Sequence, residues 1–132
     1  MIERLVVAVA AVAALAALGL CVRFVVRART RRLSAGVTLP TMTASARILV
    51  FSTRYCADCT TQHRLIAESM DAWSGAVDVS YHDAVAESDF ARRFGILTVP
   101  SLVVARPDGR IVGVEQGLVD GDRLRSLIEA TA

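Results

Sequence analysis

Two cysteines separated by two residues, Cys56-Ala57-Asp58-Cys59, stand where an apolar run, Ile48 to Phe51, gives way to a helical pattern. A thiol at the start of a helix faces unsatisfied backbone N–H groups and the positive end of the macrodipole, and both favour the thiolate. The second thiol lies one turn further on, close enough to form a disulfide, so the pair reads as a redox couple. A purely structural bridge is the weaker reading, because the chain-entropy gain falls with loop length and this loop is very short. Metal binding is the other competing chemistry. His63 follows Cys59 by four residues on the same helical face and offers a third ligand. A closed zinc site needs four ligands, and the remaining candidates are His82, distant in sequence, and Cys21, inside a hydrophobic segment.

The elements that must position these side chains follow from the hydropathy pattern. Arg47 to Thr53 is a near-continuous apolar strand of the kind that sits centrally in a sheet, and Cys56 to Trp73 continues as a helix. Cys59, His63, Ile66, Met70 and Trp73 recur at steps of four, three, four and three, which places them on one inward stripe. Val77 to His82 alternates as a second strand, parallel to the first because a helix connects them. Ser88 to Phe94 is a short helix stopped by Gly95. Ser101 to Ala105 and Ile111 to Glu115 flank the turn Pro107-Asp108-Gly109, and Asp120 caps a last helix carrying Leu124, Leu127 and Ile128. The class is α/β.

This order of strand, helix, strand, helix, strand, strand, helix, with the cysteine pair after the first strand and a proline opening the third, resembles the thioredoxin-like family. The resemblance covers roughly Ala46 to Ala132. Besides the cysteines it rests on Phe94-Gly95-Ile96-Leu97-Thr98-Val99-Pro100-Ser101-Leu102, then Gly109 at the hairpin and Gly117 after the last strand. It implies a cis bond between Val99 and Pro100, with Val99 beside Cys56 where a substrate strand docks and Tyr55 on the same substrate-binding surface. It also implies a mechanism. Cys56 attacks a substrate disulfide as the thiolate, at a rate set by a thiol pKa of about 8.5 when unperturbed. Cys59 then resolves the mixed disulfide, releasing reduced substrate and closing the Cys56–Cys59 redox disulfide. No cofactor is implied, and the partners are protein disulfide substrates and an electron donor that the sequence does not identify.

The departures from the family pattern carry information of their own. Tyr55 stands in place of the usual tryptophan, and Ala57-Asp58 in place of Gly-Pro. The helix start and Arg54 favour the Cys56 thiolate, whereas Asp58 opposes it, which makes the couple less oxidising than one with His or Tyr between the cysteines. Asp58 is also simply an acidic residue favoured in a first helical turn. Val50 occupies the position of the family's buried aspartate, which assists deprotonation of the second cysteine. With valine there, His63 is the candidate base for Cys59, since histidine is the side chain best matched to proton transfer near neutral pH. The alternative is a histidine packed on Leu65 or Ile66 with its nitrogen in water. No leading strand and helix precede Arg47, so a minimal four-stranded mixed sheet flanked by helices is expected.

Ahead of that domain, Leu5 to Val22 is an uncharged stretch of 18 residues bounded by Arg4 and Arg23, near the lower limit for a membrane-spanning helix. Seven of these residues are alanine, which weakens insertion, and Phe24 to Val26 extend the apolar length while Arg23 snorkels. The sequence therefore divides into an anchor with a basic flank at 1–32 (span about 5–26), a linker at 33–46 with Gly36 and Pro40, and a redox domain at 47–132. A cleaved signal peptide would require a positive n-region, and Glu3 cancels Arg4. A lipid-attachment signal would require a small residue before Cys21, where Leu20 stands. Arg23, Arg27, Arg29, Arg31 and Arg32 follow the span against Arg4 before it, an asymmetry that marks the cytoplasmic side of a cell membrane, with the extracytoplasmic side as the alternative. No aromatic or base-stacking pattern accompanies the run, so anionic lipid headgroups are its expected partner and nucleic acid is not. All 15 basic residues are arginine, which removes lysine from every catalytic role.

Overall fold

The computed structural model describes residues 1–34, 36–73 and 75–132. Ala35 of the expected linker and the side chain of Arg31 in the basic run lie outside the described residues. The chain opens with α1 (Ile2–Ser34) and continues as β1 (Ala46–Ser52), α2 (Ala57–Trp73), β2 (Val77–Asp83), α3 (Ser88–Arg93), β3 (Ser101–Ala105), β4 (Ile111–Gln116) and α4 (Gly121–Glu129).

The four strands form one mixed sheet in the order β2-β1-β3-β4. β1 pairs parallel with β2, with Val50 opposite Tyr81, and antiparallel with β3, with Phe51 opposite Ser101. β3 pairs antiparallel with β4. The apolar content tracks this placement. β3 is buried at every residue and β1 at all but Arg47 and Ser52, whereas the edge strand β4 is nowhere fully covered. The flanking helices account for the two sides of the core. Ile48, Val50, Leu102 and Val104 pack under Ile66 of α2 and Leu124 and Leu127 of α4, while Leu49, Phe51 and Val103 pack on the other face with Ala91 of α3, Phe94 and Ile96.

The stretch between α1 and β1 runs along one end of the sheet. Thr38 bridges Arg110, Leu39 N–H donates to the Gly109 carbonyl at 3.0 Å, and Met42 N–H donates to that of Pro107 at 3.0 Å. Ser45 then donates to Ala76 just ahead of β2, and Val37 and Leu39 cover part of the apolar face beneath α3. Gly109 is required at this crossing, because its φ is +84° and a Cβ would lie 1.8 Å from the Leu39 carbonyl oxygen. The Thr38 bridge is all that stands ahead of β1 in place of a further strand among the described residues, as the minimal sheet implies.

α1 is longer than the uncharged core of its sequence. Ile2–Arg29, 28 residues, is long and apolar enough to cross a membrane, a property that a signal sequence near an N-terminus shares, and its most apolar window is not buried against the domain.

Candidate redox site

Cys56 immediately precedes α2 and Cys59 lies in its first turn, so the helix start that the sequence implies is where the thiols sit. They are joined as a disulfide with Cα atoms 5.2 Å apart, and the Cys59 backbone N–H donates to Cys56 Sγ at 3.1 Å. That amide is one of the orphan donors of a helix N-terminus, and in the reduced state it is placed to stabilise negative charge on Cys56. Exposure divides the pair. Cys56 is half-buried and Cys59 is 2% exposed, so an incoming disulfide meets Cys56 first. Arg54 precedes the pair and Asp58 lies between its two cysteines, both exposed, and Tyr55 stands clear of the surface at 91% exposure.

The loop ahead of β3 reaches the same end of the sheet, since Phe51, at the cysteine end of β1, pairs with Ser101. The Val99–Pro100 bond is cis, as the resemblance implies. Three hydrogen-bonding groups hold this loop. Leu97 N–H donates to Gln116 Oε1 at 2.8 Å while Gln116 Nε2 donates to the Gly95 carbonyl at 3.2 Å. Ser101 Oγ donates to the Thr98 carbonyl, and Gly117 N–H donates to that of Pro100. Gln116 carries no signal in one sequence, because a polar residue ending an edge strand is ordinary.

Beside Cys59 lies an open cleft of about 300 Å³, walled by Arg54, Cys59, His63, Tyr81 and Asp83 among others. His63 is half-buried in this wall. Its ring meets Tyr81 edge to face, centroids 4.6 Å apart, and its Nε2 is the one buried side-chain nitrogen or oxygen without a hydrogen-bond partner among the described residues. Its neighbours in the cleft wall are already engaged. His82 pairs through Nδ1 with Glu87 at 2.9 Å and through Nε2 with Ser80 at 3.0 Å, and its ring meets those of Phe51 and Phe90. The backbone N–H groups of Ala86 and Val85, with the charge of Arg54, hold the Asp83 carboxyl below the usual carboxylate range against the effect of burial. Burial pushes the Tyr81 phenol up. Val50 is fully buried in the apolar core and carries no proton.

The helical stripe contains one residue that its periodicity hides. Gln62 is 0% exposed and clamps Val119, accepting from its N–H at 2.7 Å and donating to its carbonyl at 3.1 Å. It ties the cysteine-bearing helix to the segment leading into α4, where Asp120 caps by accepting from Arg123 N–H. No group of three His, Cys, Asp or Glu side chains among the described residues is placed to hold a metal ion.

No protein-family model and no curated protein matches the sequence. Solved structures do. A mutant thioredoxin from Halobacterium salinarum is 26% identical with a TM-score of 0.58, over 67% of this chain and 75% of that one. The chain carries a thioredoxin-like domain. Thioredoxin-2 of the malaria parasite, a component of its protein secretion machinery, is 18% identical with a TM-score of 0.61, covering 67% of this chain and 85% of that one. Mitochondrial thioredoxin 3 of Saccharomyces cerevisiae, in its oxidised form, is 18% identical with a TM-score of 0.58, over 66% and 79% of the two chains. A thioredoxin-like domain with a bridged cysteine pair at a helix start is equipped for thiol–disulfide oxidoreduction, with proteins as its substrates.

Proposed function

We propose that the chain is a membrane-anchored protein disulfide reductase. The observation that carries this reading is the Cys56–Cys59 pair at the start of α2 in a thioredoxin-like domain, with only the first thiol open to an incoming disulfide. Cys56 is the nucleophile and Cys59 the resolving thiol. Tyr55, Val99 and Pro100 form the surface that receives the substrate strand. His63 is the base that takes the proton from Cys59, a role supported by its unpartnered buried Nε2 in the cleft that Cys59 also lines. Asp58 favours the reducing direction, since a negative charge beside Cys56 works against its thiolate. Residues 1–32 are the anchor, 33–46 the linker and 47–132 the redox domain. The arginines after the span support a cytosolic domain and contact with anionic lipid.

Resolution chemistry supplies the test. Cys59→Ser removes the resolving thiol and keeps the attacking one, so mixed disulfides between Cys56 and substrate proteins should accumulate, separable on non-reducing gels. Cys56→Ser in the same background should abolish them. Absence of adducts in Cys59→Ser across a range of reductant concentrations would remove Cys56 from the role of nucleophile.

A further inference from the structure

We infer that Tyr81 is a positioning residue for proton transfer from Cys59. Its ring holds the His63 imidazole at the cleft that the buried Cys59 also lines. The inference rests on the reading of His63 as the base and extends it to a side chain on a different element. Cys59 and His63 are separated by one turn of α2, a spacing that makes them neighbours on its surface. A histidine side chain has two torsions, and Nε2 is useful only if both are fixed. No hydrogen bond to Nε2 fixes them. What meets the ring is Tyr81, edge to face at 4.6 Å, from the β2 position directly opposite Val50. Cys59, His63 and Tyr81 line the same cleft, so the ring contact is made beside the buried thiol.

The remaining charged and titratable groups of the cleft do not substitute. Arg54, from the loop before α2, is a cation and accepts no proton. His82 on β2 has both nitrogens engaged by Ser80 and Glu87, and the amides of Val85 and Ala86 bond Asp83 Oδ1 and lower the pKa of its carboxyl, which makes it a poor base for a thiol. Tyr81 itself cannot be the base near neutral pH, because burial raises a pKa that already lies far above it. Its contribution is therefore the ring and not the hydroxyl.

The step balances without any further reagent. In the mixed disulfide, Cys59 gives its proton to His63 Nε2, and the Cys59 thiolate attacks Cys56 Sγ. The Cys56–Cys59 bond forms as the bond from Cys56 to the substrate sulfur breaks. The substrate leaves as a thiolate, reduced, and the cysteine pair is left oxidised.

The experiment uses the full-length reduced chain in detergent micelles and an aromatic disulfide reagent whose released thiolate is coloured. Release occurs in two phases, attack by Cys56 and then resolution by Cys59, each followed against pH by stopped flow. His63→Ala should slow the second phase about 10-fold and flatten its acid limb, leaving the first phase near the parent rate. Tyr81→Ala should slow the second phase about 3- to 10-fold and displace that limb, as expected for loss of an aromatic pair that orders the base. Tyr81→Phe, which keeps the ring, should stay within about 2-fold of the parent. In His63→Ala, adding Tyr81→Ala should cost nothing more. Tyr81→Leu serves in place of Ala if that variant does not fold, with the first phase as the check on the fold. A normal second phase and pH profile in Tyr81→Ala or Tyr81→Leu, with His63→Ala slow, overturns the role of Tyr81 and leaves the base intact. A normal second phase in His63→Ala overturns the base, and this inference with it. If Tyr81→Phe is as slow as Tyr81→Ala, the hydroxyl is required and positioning by the ring is wrong.

Discussion

Asp58 lies exposed in the first turn of α2, between the two cysteines, where its carboxylate favours the helix and opposes charge on Cys56. Asp58→Asn should therefore make the Cys56 thiolate easier to form and the couple more oxidising. Alkylation of reduced protein should persist to lower pH, and equilibration with glutathione should give a higher reduction potential; a shift of opposite sign in either measurement excludes the electrostatic effect. At this scale the sequence was informative where the chemistry is local. The spacing of Cys56 and Cys59 in a helical pattern after an apolar strand was enough to recognise the couple, and the cis bond at Pro100 followed from a nine-residue resemblance. Gln62, Gln116 and Tyr81 were not legible. Each acts through a partner more than 15 positions away, Val119, Leu97 or His63, and polarity in one sequence does not say what a side chain will meet.

Between elements, the buried amide of Gln62 is the polar tie from α2 to the approach of α4. Gln62→Ala leaves the N–H and the carbonyl of Val119 unpaired in the core, at about 1–3 kcal/mol for each such group, so a loss of about 2–6 kcal/mol is expected. Urea unfolding should show a lower midpoint with an unchanged slope, and a loss below about 0.5 kcal/mol would mean that water replaces the amide. The turn from β2 to α3 depends on a carboxylate instead. Asp83 accepts from Val85 N–H at 2.8 Å and Ala86 N–H at 3.0 Å, and its pKa in the folded protein is lowered. A depressed folded pKa gives stability that is present above the unfolded value and is lost as pH falls through the folded one. The stability gap between the parent and Asp83→Ala should thus be full near neutral pH and close in strong acid, below the ordinary carboxylate range. A gap that stays constant through that range would show that protonation of Asp83 is not what matters. Strand and helix order was readable because an apolar run, a helical stripe and an alternating strand follow one another from Arg47 onward. The course of residues 37–45 was not, because its hydrogen bonds go to Pro107, Gly109 and Ala76 through backbone atoms, which side-chain patterns do not report.

For the whole molecule, sidedness decides which redox environment the couple meets. The arginine excess after the span predicts a cytosolic domain, so a membrane-impermeant thiol reagent should leave Cys56 of intact, reduced cells unlabelled and should label it after lysis. Labelling before lysis reverses the orientation. The path of the linker has a further consequence. Its hydrogen bonds lie at the hairpin end of the sheet, and the cysteines lie at the other end of β1, a strand of seven residues that spans roughly 20 Å. Residues 38–45 are thus tied to that end of the sheet through their backbone. With α1 in a bilayer, the chain enters the domain at the end of the sheet remote from the reactive sulfur, about one strand length away.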